Sequence, residues 1–289
     1  MIRFAIPSNL ASACAKSPLR TRWLEDLPRV ISELTTRWSL TLGRPFEGDE
    51  ISCVWVAPAT RRDGTSAVLK LGMPHFEGEH EIEGLRLLNG DPTVRLIEAD
   101  DLNAMLLERC TPGTPLRALP EAEQDVVIAA SLRRFWRVPP PDHSFRPLSA
   151  MLSHWAEETE RDAARWRDAG LVRAGLRTFE EMGVAAASDV LLVTDLHAGN
   201  VLRAEREPWL VIDPKPFVGD RAYDATPHLL NCRERLRSRP HETIKSFADL
   251  LEVDHERVRR WTFGRLAAEP RDDWDDEATA LARILDRQT

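Results

Sequence analysis

The side chains that could do chemistry are densest between positions 191 and 215. The chain reads Leu191-Leu-Val-Thr-Asp195-Leu-His-Ala-Gly-Asn200-Val-Leu, then Trp209-Leu-Val-Ile-Asp213-Pro-Lys215. Asp195 and Asn200 are five apart with Gly199 between them, so a tight loop can aim both at one point. Asp213 ends an apolar run that would return beside Asn200 as the second strand of a hairpin. A carboxylate together with an amide oxygen suits Mg²⁺, which takes hard oxygen ligands and shares its shell with phosphates and water. A further carboxylate outside that shell can accept the proton of an attacking hydroxyl. Positioning, a divalent ion and a base are the equipment of phosphoryl transfer. Either fragment alone is an ordinary polar loop. Their order and spacing, downstream of the apolar run Ala67-Val-Leu-Lys70-Leu71, carry the reading.

The elements that must position these groups follow from periodicity and turn residues. Residues 22–37 read as a helix with Trp23, Leu27, Val30, Ile31 and Leu34 on one face. Residues 38–46 and 51–57 read as strands around Glu47-Gly48-Asp49, and Arg62-Asp63-Gly64 introduces a third strand, 67–71. Residues 77–88 form a helix with the stripe Ile82, Leu85 and Leu88, stopped by Asn89-Gly90-Asp91-Pro92. Residues 93–99 and 104–108 are two more strands. After the Pro/Gly-rich stretch 111–115, helices dominate: 121–136, 146–167 and about three more between 241 and 286. Only the hairpin 200–203 and 209–212, turning at Glu205-Arg-Glu-Pro208, interrupts them. The expectation is a bilobal α+β architecture. A small β-rich N-lobe (residues 1–107: a helix, a five-stranded sheet and one more helix) leads through a hinge (108–115) to a larger helical C-lobe (116–289).

The 289 residues are 43% hydrophobic and 30% charged, enough for a large core, and no apolar run approaches the length of a bilayer span. Basic and acidic residues number 39 and 47, a net charge of −8 with no basic stripe, which argues against nucleic acid as partner. The four cysteines are scattered and point to a reduced, cytoplasmic setting. Only Lys16, Lys70, Lys215 and Lys245 among the basic residues are lysine; the rest are arginine. A lysine kept against such a bias can mark a place that needs a compact ammonium rather than a planar fork.

The two blocks around Asp195 and Asp213 resemble the aminoglycoside phosphotransferases, which share the protein-kinase-like fold. Ile212-Asp-Pro-Lys-Pro-Phe-Val-Gly-Asp-Arg-Ala-Tyr-Asp224, Lys70-Leu-Gly-Met-Pro-His75 and Leu107-Glu-Arg-Cys-Thr-Pro-Gly113 narrow the likeness to the streptomycin 6-phosphotransferase and hydroxyurea phosphotransferase branch. It covers roughly residues 40 to 265. The resemblance implies an ATP- and Mg²⁺-dependent kinase of a small-molecule hydroxyl, with an aminoglycoside or hydroxyurea as acceptor. It casts Asp195 as catalytic base and Asn200 and Asp213 as Mg²⁺ ligands. Lys70 would grip the α- and β-phosphates, supported by Glu81, with Glu79 as the alternative. Glu108 to Cys110 would receive adenine through their backbone, and the turn 48–52, including Ser52, would cover the phosphates. The chain departs from the usual pattern in two respects: Val193 and Thr194 stand where relatives often read His-Gly before the catalytic aspartate, and Pro214 stands where protein kinases carry a phenylalanine, which argues against a protein substrate.

Other groups are weighed on their own terms. Lys215 could contact phosphate or form an ion pair. His197 could touch substrate or brace the loop, with bracing preferred. Asp220 and Asp224 read as loop-fixing groups. Glu157, Glu158 and Glu160 read as a solvated helix face, and the acidic stretch 272–277 as a helix start. Two further functions compete with a kinase. A dinuclear phosphoesterase would use Asp195, His197 and Asp220 on two metals, but that leaves Lys70 and its strand without a role. A nucleotide-binding module without turnover is the other.

Overall fold

The computed structural model describes residues 5–15, 17–48, 53–101, 103–271, 274 and 276–286. The chain divides into two compact units, residues 1–113 with 203–210, and residues 114–202 with 211–289.

In the first unit, helix α1 (Ser8–Cys14) and helix α2 (Pro18–Arg37) precede five strands: β1 (Thr41–Leu42), β2 (Val54–Thr60), β3 (Ser66–Gly72), β4 (Leu96–Asp100) and β5 (Ala104–Glu108). They form one antiparallel sheet in the order β1-β2-β3-β5-β4. Helix α2 starts a turn before the predicted position 22, because Pro18 suits the first helical position, where no N–H is needed. Its apolar face buries Leu27, Val30, Ile31 and Leu34 against Trp55, Ala57, Leu69, Leu71 and Leu106 of the sheet. Strand residues alternate between faces, so Lys70, between Leu69 and Leu71, belongs to the opposite side, in register with Val56 and Met105. The strand expected over 38–46 shrinks to Thr41–Leu42. Beyond it the chain follows β2 only irregularly, through Gly43 N to Pro58 O and Phe46 N to Val56 O, since Pro45 has no N–H for a ladder. Helix α3 (Glu81–Leu88) is shorter than the expected 77–88, and its first turn is a separate 3₁₀ turn, Phe76–Gly78. Asn89, left-handed at φ 47°, ends it.

The second unit is mostly helical. It contains α4 (Glu121–Phe135), α5 (Leu148–Arg161), α6 (Ala169–Met182), α7 (Ala225–Asn231), α8 (Arg233–Ser238), α9 (Pro240–Leu251), α10 (His255–Ala268) and α11 (Asp276–Asp286). The single helix expected over 146–167 divides instead into α5 and a 3₁₀ turn, Ala163–Arg165. Helix α6 escapes the sequence reading, although Asp168 caps it by accepting from Leu171 N at 3.0 Å. Helices α6 and α10 form the centre of this unit, and Gly175 lets them approach until Ala267 and Ala268 fill the space a Cβ would need. Four three-residue strands complete the chain: β6 (Val190–Leu192), β7 (Val201–Arg203), β8 (Trp209–Val211) and β9 (Phe217–Gly219). β6 pairs with β9, a ladder the sequence did not announce, while β7 and β8 form the expected hairpin. No helix among the described residues is long and apolar enough to cross a membrane.

Candidate functional site

The segment after β6 is held at nearly every residue. Val193 N and Thr194 N donate to the carboxylate of Asp224 at 3.1 and 2.8 Å, and Trp136 Nε1 donates to the same group at 2.9 Å. Asp224 is fully buried, and burial pushes its carboxyl up to about 6 against these three donors, which favour the ionised form. Thr194 adopts φ 52°, a left-handed conformation unfavourable for a β-branched residue. Its hydroxyl donates to Lys215 O at 2.6 Å, and Lys215 N returns a bond to Val193 O at 3.1 Å. Val193 thus stands where a histidine would brace the loop, and the buried Asp224 carboxylate does the bracing from below. Asp220 is a second loop-fixing group. It accepts from Ala222 N, from Arg257 at 2.9 and 2.6 Å, and from Trp261 Nε1 at 2.8 Å.

Asp195 follows directly, its N–H on Val193 O, and Lys215 Nζ donates to its Oδ2 at 2.5 Å. Asn200 closes the loop: its backbone N donates to His197 O at 2.9 Å and its Nδ2 to Asp195 O at 3.0 Å. That second bond assigns the amide nitrogen to the loop and leaves Oδ1 as the atom for a cation. His197 braces rather than projects, with Nδ1 accepting from Gly199 N at 3.1 Å. Gly199 leaves room for the guanidinium of Arg117, whose tip lies 2.0 Å from where a Cβ would stand. Across the hairpin, Ile212 N donates to Asn200 O at 2.8 Å, which puts Asn200 opposite the residue before Asp213. Asp213 itself turns the chain at φ 54°. The hairpin thus sets an amide and a carboxylate residue near each other along the chain's return, and both are of the hard-oxygen type that Mg²⁺ takes.

In the first unit, Lys70 and Glu81 form a buried ion pair, Nζ to Oε1 2.5 Å, each about 5% exposed. Glu79, the alternative partner, is exposed. Glu108 begins the segment expected to meet adenine, and its side chain is engaged. Arg206 donates to both carboxylate oxygens at 2.8 Å and also to Gly90 O and Thr93 O, while Arg95 N reaches Oε2 at 2.9 Å. Burial opposes the charge of Glu108, yet Arg206 and Arg95 hold its carboxyl below the usual range. Cys110 is half-buried and burial pushes its thiol up to about 11, so it is no nucleophile. Ser52 lies outside the described residues. Sequence reasoning missed Arg206, which an ordinary polar turn conceals, and left Lys215 undecided.

Two other acidic features have different roles. Glu157 and Glu160 are solvent-exposed on α5, and Glu158 meets His154 and Arg161 at 3.7 and 3.5 Å. Among the described residues, one group of His, Cys and carboxylate atoms is close enough to share a metal: Asp125, His228 and Cys232. Arg235 already occupies both oxygens of Asp125 at 2.6 and 2.8 Å, and burial pushes the Cys232 thiol up to about 11. The arrangement is a buried ion-pair network rather than a metal centre. Asp195, His197 and Asp220 form no such group, which removes the support for a dinuclear phosphoesterase.

Residues 37–272 match the family described as aminoglycoside/hydroxyurea antibiotic resistance kinase. The chain is 34% identical to streptomycin 6-kinase of Streptomyces glaucescens, over 96% of this chain and 93% of that protein. It is 37% identical to hydroxyurea phosphotransferase of Kitasatospora aureofaciens, over 84% and 72% respectively. Among solved structures, choline kinase LicA of Streptococcus pneumoniae aligns with a TM-score of 0.64 at 12% identity, covering 90% of this chain and 97% of that one. Aminoglycoside phosphotransferase APH(3'')-Id of Streptomyces rimosus aligns at 0.55 and 17% identity, covering 89% and 98%. The fold is protein-kinase-like.

Proposed function

The chain belongs to the aminoglycoside/hydroxyurea antibiotic resistance kinases, and from that premise we propose that it transfers the γ-phosphoryl group of Mg-ATP to a hydroxyl of streptomycin or a similar aminocyclitol, with hydroxyurea as the second candidate acceptor. The observation that carries the proposal is the loop in which Asp195 and Asn200 are tied together and set against Asp213 across one hairpin. Streptomycin is placed first because the likeness to streptomycin 6-kinase spans almost the whole of both chains.

In this reading Asp195 accepts the proton of the acceptor hydroxyl as the γ-phosphoryl group passes from ATP to that oxygen and ADP leaves. Lys70, aimed by Glu81, meets the α- and β-phosphates. Asn200 Oδ1 and the Asp213 carboxylate would hold Mg²⁺, which would neutralise phosphate charge. Glu108 and Cys110, in the stretch 108–115, offer backbone groups to adenine. A cytoplasmic setting, where ATP is made, accords with four cysteines outside any disulfide.

Two variants test the assignment. Asp195→Asn is expected to cut turnover about 10²–10⁴-fold and leave ATP binding nearly intact; full activity would remove Asp195 from the mechanism. Asp213→Ala is expected to abolish Mg²⁺-dependent nucleotide binding by calorimetry, and unchanged Mg²⁺ dependence would refute its role.

A further inference from the structure

We propose that Lys215 is a positioning residue for the transfer step, setting both the place and the local charge of the Asp195 carboxylate. The inference rests on the reading of Asp195 as base and goes beyond it. Lys215 Nζ lies 2.5 Å from Asp195 Oδ2, with side chains 22% and 34% exposed. Exposed Lys–Asp pairs contribute little, because two long side chains must be ordered in water. This pair differs, since its backbones are already fixed to each other. Lys215 N donates to Val193 O, and Thr194 Oγ1 donates to Lys215 O, on the segment that carries Asp195. Pro214 and Pro216 flank the lysine and restrict its backbone further.

The choice of lysine has a chemical reason. A carboxylate beside an incoming phosphoryl group faces the negative oxygens of that group, and a cation held on the carboxylate offsets the repulsion. An arginine would supply the charge, and this chain uses arginine nearly everywhere else. Its planar fork pairs with both carboxylate oxygens at once, as Arg235 does on Asp125. That geometry would cover the atom that must take the proton. A compact ammonium on Oδ2 leaves Oδ1 for the hydroxyl. The surviving lysine therefore marks a carboxylate that must stay half open.

The test is a double-mutant cycle on the full chain, with turnover read as ADP release from Mg-ATP, once with streptomycin and once with water as the only acceptor. Lys215→Met, which keeps the aliphatic stem, is expected to lower kcat about 10²-fold with KM for ATP within about threefold of wild type. Lys215→Arg is expected to lose at least about tenfold in kcat despite retaining the charge, with an unchanged melting temperature. In the Asp195→Asn background, Lys215→Met is expected to cost less than about threefold more, because residues that act as a unit are not additive. Wild-type kcat in either single variant, or losses that multiply in the double variant, would overturn the proposal. Asp195→Asn alone separates the two levels. If it turns over at the wild-type rate, the base assignment fails and Lys215 falls with it. If it is slow while the Lys215 variants are fast, only the positioning role fails.

Discussion

Asp224 shows how much one buried side chain decides. It holds two backbone N–H groups of the segment that carries Asp195 and the indole of Trp136, yet burial raises its carboxyl to about 6. A carboxyl whose folded pKa lies above its unfolded value of about 4 stabilises most when protonated. Its contribution is full below about pH 4 and is lost as the pH rises through about 6. The stability gap between wild type and Asp224→Asn should therefore shrink by roughly 2 kcal/mol from pH 4 to pH 7. Denaturant unfolding followed by tryptophan fluorescence measures it, and a gap that stays flat would contradict the account. At this scale the sequence was unevenly legible. Asp195, Asn200 and Asp213 are short polar groups at close spacing, so local geometry alone suggested their joint use. Lys215 could be singled out but not resolved, because its bond to Asp195 depends on how the hairpin returns. Arg206 was invisible, since an arginine in a polar turn carries no signal until its carboxylate is known.

Elements were legible where periodicity is local and obscure where pairing is distant. The hairpin of β7 and β8, the strand of Lys70 and helix α2 all declare themselves through turn residues or an apolar stripe. The pairing of β6 with β9 joins three-residue runs far apart in the chain, too short for any periodic signal. Helix α6 had a cap at Asp168 and apolar residues at helical spacing, but Gly175 interrupts its middle and lowers helix propensity. That glycine is there for packing, since a Cβ would meet Ala267 Cβ at 2.7 Å and Ala268 Cβ at 2.8 Å. Gly175→Ala therefore gains helix propensity and loses more by forcing α6 from α10. A net destabilisation of about 1–3 kcal/mol is expected from denaturant midpoints, and a stabilised variant would show that the contact yields. In the first unit, Arg206 ties Glu108 to the carbonyls of Gly90 and Thr93. Arg206→Ala should leave that carboxylate half-buried with only the Arg95 N–H on it, raising KM for ATP about tenfold while kcat changes less. An unchanged KM would separate this clamp from nucleotide binding.

At the scale of the whole molecule, one unit holds a lysine paired with a buried glutamate on a sheet, and the other holds two carboxylates and an amide on one loop and hairpin. Family membership supplies the reaction type, and the residues supply a reason for it. The most direct measurement of the central claim is ADP release from Mg-ATP with streptomycin and hydroxyurea offered separately, wild type beside Asp195→Asn. The account predicts acceptor-dependent ADP from the wild type, greatest with streptomycin, and about 10²–10⁴-fold less from the variant. ADP release that neither acceptor stimulates, or that Asp195→Asn sustains at the wild-type rate, would contradict it.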